Sequence, residues 1–204
     1  MRILAGHLKL FVICLFLACL SSTALAATVD LRQTGQTTSY AAGDDGDFLA
    51  GAEWPNPRFA DNGDNTITDK LTGLMWTKNA NLPGGARTWQ QALDYVAGLN
   101  AGAGLCGFHD WRLPNRVELS SLLDYSHWNK SILTPNPFTN IIPGEYWTST
   151  SASYQYGPDA AWDVRLDTGV VYTSVKHLAN AYLWPVRTGI ANPEYETFLS
   201  LIIR

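Results

Sequence analysis

The chain has 204 residues, a net charge of −4 and 46 % hydrophobic residues, with eight tryptophans. No basic cluster interrupts this mildly acidic composition, which excludes nucleic acid and anionic membrane surfaces as natural partners. The apolar content is ample for one well-buried domain.

The first element is a leader. Arg2 and Lys9 precede a wholly apolar run, Leu10 to Leu20, and Ala24-Leu25-Ala26 supplies small residues at the positions a signal peptidase reads. This is the layout of a secretory signal peptide over residues 1–26. The run is too short to span a bilayer, which takes roughly 20 residues. A lipid-attachment reading at Cys19 fits less well, because Phe16 and Leu17 depart from the bulky-then-small pattern. The expectation is an exported protein: periplasmic, cell-surface or secreted. Cys14 and Cys19 leave with the leader, so Cys106 remains alone and the fold relies on its core. A free cysteine is ordinarily a small buried apolar residue. Nucleophilic use would require a base, and His109 is the local candidate.

Residues 27–57 are rich in Gly, Thr, Gln and Asp, and read as an extended, loop-rich segment. The domain proper is expected over 58–188. Arg58 to Ala60, Thr66 to Thr68 and Leu74 to Trp76 are three short strands separated by turn clusters, a small antiparallel meander. Thr88 to Asn100 is a helix with Thr88 as N-cap and Gln91 closing a capping box. Its buried face is Trp89, Leu93, Val96 and Ala97.

Trp111-Arg112-Leu113 reads as a strand, and Pro114 disfavours helix at Leu113. Asn115 then caps a second helix, with Glu118 at the capping-box position and Leu119, Leu122, Leu123 and Tyr125 facing the core until about Asp124. Asp110 and Arg112 are expected to form an ion pair or a backbone clamp. After an irregular, proline-bearing stretch the chain turns to strands. These are Tyr146 to Thr150, Ala161 to Leu166 with Trp162, Val164 and Leu166 on one face, Val170 to Val175, and Tyr182 to Arg187. Asp167-Thr168-Gly169 is a hairpin turn with Gly at the left-handed position. Residues 189–204 form a tail whose role the sequence leaves open. The fold class is α+β, with two helices and antiparallel sheet.

"TDKLTGLMW", "TWQQALDYVAGLN", "DWRLPNRVELSSLLDYS", "YWTSTS", "AWDVRLDTGVV" and "LWPVR", in this order, resemble the Lcl C-terminal domain family over roughly Thr34 to Arg187. The resemblance implies a C-type-lectin-like fold, akin to that of the formylglycine-generating enzymes. It also implies exported proteins that are often adhesive or ligand-binding. The Glu-Pro-Asn or Gln-Pro-Asp loop and Trp-Asn-Asp strand of calcium-dependent lectins are missing, and no cysteine follows Cys106. The fold therefore carries over better than either function.

"GDDGD" (Gly43 to Asp47) and "DNGDN" (Asp61 to Asn65) have ligands suited to calcium, but Asp61 does not start an EF-hand pattern. Solvated turns explain them, and no other metal or cofactor is expected. His109, His127 and His177 lack zinc spacing. No nucleophile–base pair or nucleotide-binding motif is present. Among the tryptophans, Trp54 and Trp128 lie in loops and suit binding better than the six on periodic elements. The expected ligand face combines Trp128 with Ser153 to Asp159 and Ser174 to Tyr182. Its residues are Trp128, Tyr154, Gln155, Tyr156, Asp159, Tyr172, Lys176, His177, Asn180 and Tyr182, with no catalytic residue. The leading expectation is a non-enzymatic binding or adhesion module for a glycan or a protein surface. The alternatives are an envelope enzyme, either a carbohydrate hydrolase or a Cys106 redox protein, and a structural envelope protein.

Overall fold

Turn chemistry and alternation dictate the first sheet. The computed structural model describes residues 31–127, 132, 135–153 and 157–189; the expected leader, residues 1–26, and the tail beyond Gly189 lie outside them. Strands β1 (Phe59–Asp61), β2 (Thr66–Asp69) and β3 (Leu74–Thr77) form the expected meander, each within a residue or so of its sequence boundary. Asp61 accepts from the Gly63 N–H and Asp64 from the Thr66 N–H, so the acids of "DNGDN" hold the β1–β2 turn.

Helix α2 (Trp89–Leu99) starts at Thr88, with both halves of its capping box made. Its buried positions are Ala92 and Val96, flanked by Trp89, Leu93 and Tyr95. Ala97, expected inside, is exposed; the buried stripe runs through Ala92 and Val96, one turn apart, and Ala97 lies about 100° round the helix from Val96. Helix α3 (Arg116–Ser120) has its own complete capping box, Asn115 with Glu118. It ends sooner than expected. Ser121 begins a turn, and Tyr125, expected in the core, is 52 % exposed.

The second sheet is β4 (Glu145–Ala152), β5 (Ala160–Arg165) and β6 (Val171–Val175), antiparallel in sequence order. The β5–β6 hairpin closes as expected, with Gly169 at φ 73° and its N–H donating to the Arg165 carbonyl. Trp162 and Val164 share a face of β5, as the alternation implies, and Val164 and Leu166 are buried. Trp162 is partly exposed beneath the Arg116 guanidinium, whereas Asp163, on the opposite face, is fully buried. The sheet is covered on both sides, so alternation does not separate inside from outside here.

The last strand, β7 (Val186–Thr188), leaves the second sheet and pairs with β3 in the first, giving the order β1-β2-β3-β7. The expected strand from Tyr182 is thus split. Tyr182 bridges to Tyr146 of β4, and the chain crosses at Pro185 to reach β3. Two apolar clusters result. One joins Trp76, Leu119, Leu122, Leu123, Tyr146 and Trp184; the other joins Trp111, Trp147, Ala92, Val96 and Leu183. The architecture is α+β, with little helix and two antiparallel sheets.

The leading segment is more structured than its composition suggests. Helix α1 (Asp45–Phe48) is capped by Asp44, and Arg32 pairs with Ala52 in a short parallel bridge. Arg32 Nη2 donates to the Ser120 carbonyl at 2.6 Å, and the Tyr125 N–H donates to the Thr34 carbonyl at 3.0 Å. These bonds strap residues 31–54 across the end of α3.

Candidate functional site

The stretch "HDWRLPNRVEL" (His109 to Leu119) is a structural joint between α2, α3 and β7. Trp111-Arg112-Leu113 makes only a two-bond bridge, Arg112 with Val186 of β7. The expected Asp110–Arg112 pair is not the one formed. Arg112 grips both oxygens of Glu118 at 2.7 Å, while Asp110 pairs with Arg187 at 2.7 Å. Burial pushes the Glu118 carboxyl up. The Arg112 hydrogen bonds and the Asn115 N–H outweigh it, and the carboxyl ends below its usual range. The Asn100 side chain completes the joint by exchanging two hydrogen bonds with the Trp111 backbone, at 2.8 and 2.9 Å.

The cavities lie elsewhere, and two of them share Trp54. One, about 400 Å³, is walled by Trp54, Pro55, Pro57, Phe59, Pro135 and Pro137. The other, about 530 Å³, mixes apolar and polar walls and includes Gln33, Glu53, Trp54, Asp124, Ser126 and His127. Trp54 is half-buried and fixed: its indole N–H donates to the Gln33 carbonyl at 2.9 Å, and Arg58 lies 4.5 Å from the ring centre. Arg58 is itself fixed by a fully buried fork onto Asp69 at 2.9 and 2.7 Å, and by the Ser121 carbonyl. Asp124 is 4 % exposed and accepts from the Ser126 N–H and hydroxyl. Gly35 has no room for a side chain, since a Cβ there would fall 2.5 Å from Asp124 Oδ1. The cleft is therefore built by the leading segment closing on the domain.

A third cavity, about 320 Å³, includes Cys106 and Leu105 with Asn65, Lys78 and Thr139. Burial, reinforced by Asp64, pushes the Cys106 thiol above its usual value, so it is protonated near neutrality. His109 Nδ1 is engaged with the Asn100 carbonyl.

The expected ligand face is partly within reach of description. Trp128, Tyr154, Gln155 and Tyr156 lie outside the described residues. Asp159 and Lys176 do come together: the Lys176 N–H donates to the Asp159 carbonyl at 2.8 Å. Lys176 is occupied, donating to Ser151 and the Pro158 carbonyl and lying over Trp89. His177 and Asn180 are exposed beside exposed Leu178. Tyr182 packs against Tyr146 and the core, and Tyr172 sits nearer the hairpin turn than the loops. The acidic turns are likewise engaged. Asp44 caps α1, Asp47 accepts from the Gly43 N–H and Asp61 pairs with Lys78. Among the described residues no three His, Cys, Asp or Glu side chains converge as a metal site, and no helix is long and apolar enough to cross a membrane.

Fold and site define an α+β domain with an aromatic-edged cleft between its leading segment and the turn that follows α3. The chain belongs to the Lcl C-terminal domain family, whose model matches residues 65–187, more than half its length. No curated protein matches it. Trp54 and most of the cleft precede the matched region.

Proposed function

We propose that the protein is an exported, non-enzymatic ligand-binding or adhesion module whose ligand is a glycan, bound in the cleft beside Trp54. The observation that carries this reading is the fixed, half-exposed indole shared by two cavities. A pyranose presents a flat C–H face to a ring and hydroxyls to its flanks. Here Glu53, Asp124 and Gln33 supply acceptors and an amide, and the carboxylates favour a neutral sugar over an acidic one. Export rests on the leader motif of residues 1–26.

A second reading keeps the ligand on Ser153 to Asp159 and Ser174 to Tyr182. It draws support from the Lys176–Asp159 bond that brings the two segments together at one end of the sheet. Calorimetric titration of neutral oligosaccharides separates the two. Loss of binding in Trp54→Ala, with the melting midpoint held by Trp54→Phe as a control, supports the cleft. Loss in the Tyr156→Ala/His177→Ala double variant, with Trp54→Ala binding normally, moves the site to the loops. A parent protein silent toward every glycan, but hydrolytic toward any of them, refutes the binding-module reading.

A further inference from the structure

Asp163 takes no part in the cleft, yet it is the most anomalous ionisable group of the second sheet. It is 0 % exposed, and neither carboxylate oxygen meets a hydrogen-bond donor. The register fixes its surroundings. Asp163 faces Trp147 of β4 on one side and Tyr172 of β6 on the other, with Ala161 and Arg165 two residues away along β5. Glu145 and Ser174 occupy the diagonals.

The nearby cations are committed to other partners. Arg165 pairs with Glu145 and Asp167. Arg87, whose carbonyl receives the Trp147 indole N–H, turns its guanidinium to the Ala86 and Pro83 carbonyls. On α3, which packs on β5, Arg116 lies over Trp162 on the opposite face. Arg112, just before α3, grips Glu118. Lys176 is held by Ser151 and Pro158. An ionised Asp163 would thus be a desolvated charge with no cation among the described residues to offset it.

We infer that Asp163 is a protonic latch: protonated, it lets β4, β5 and β6 close, and its ionisation loosens the sheet that carries the Gly157–Asp159 and Lys176–Asn180 segments. Burial is the main cause, and it pushes the Asp163 carboxyl up to about 6; Ser174 opposes the shift without a well-formed hydrogen bond, and Glu145 adds to it. The sign follows. A carboxyl that holds its proton more tightly folded than open favours the closed sheet at low pH, and that advantage is lost between its open-state and closed-state values.

Backbone amide exchange on the full chain, corrected for intrinsic rates, tests this at pH 5 and pH 7.5. In the parent, protection across residues 160–175 is expected to fall about tenfold between the two pH values. In Asp163→Asn it is expected to stay level. An equal fall in Asp163→Asn, or no fall in the parent, overturns the latch. Should the variant fail to fold, the ¹³C titration of the Asp163 carboxyl in the parent decides. A midpoint near 6 supports the latch, and one near 4 overturns it.

Discussion

Glu118 shows how much one side chain carries. It closes the capping box on the Asn115 N–H and takes both arms of Arg112, and Arg112 in turn ties its backbone to β7. Arg112→Ala is expected to cost about 1–2 kcal/mol at pH 7, more than a typical surface pair, because the cap is weakened with it. The folded-state carboxyl is depressed, so its contribution is present above the ordinary carboxylate range and lost as pH falls through the folded value. The gap between parent and variant in urea unfolding should therefore narrow by pH 3. The deeper pair, Arg58 with Asp69, is fully buried. Asp69→Ala leaves a buried guanidinium unpaired, which costs about 3–5 kcal/mol. A drop in melting midpoint well beyond that of Arg112→Ala checks the ranking. Cys106 bears on the redox alternative. Its raised thiol should be alkylated more slowly than free cysteine at pH 7.5, and faster labelling would mark an activated nucleophile.

Both capping boxes, the meander turns and the Gly169 hairpin follow from signals within three or four residues, and each was readable directly from the sequence. What the sequence conceals is whatever depends on distant partners. Asn100 looks like an ordinary helix-end residue, and its grip on Trp111 depends on where Trp111 comes to lie. Asp163 looks like the solvent face of an alternating strand, because nothing local reveals that this sheet is covered on both sides. The leading segment reads as loop from its glycines, yet those glycines are the fit. Gly46 has a backbone carbonyl where a Cβ would stand, 2.2 Å away at Thr38, and Gly35 is pressed against Asp124. Gly35, at φ +92°, should tolerate alanine badly. Gly35→Ala is expected to destabilise by about 1–3 kcal/mol and to weaken any ligand held at Trp54, which differential calorimetry with and without ligand would register.

At the scale of the molecule, the family match begins at Asn65, whereas the cleft is completed by residues that precede it. Removing residues 27–55 should leave the two-sheet domain folded, with a midpoint several degrees lower, because the Ser120 carbonyl loses the Arg32 guanidinium, the Tyr125 N–H loses the Thr34 carbonyl and Asp124 loses its cover. Glycan binding should vanish with the segment. Retained binding would place the ligand on the late loops instead.

The β3–β7 pairing sets Met75 opposite Arg187, 112 residues away. A contact across that span cannot form until nearly the whole domain has emerged from the ribosome. The first sheet therefore waits with its β3 edge open, and Trp76 waits for Trp184, its neighbour in the core at 5.5 Å. Loop closure on this scale slows folding toward the millisecond-to-second range typical of non-local β topologies. The strand that completes the first sheet, β7, is the last of the described strands to be made.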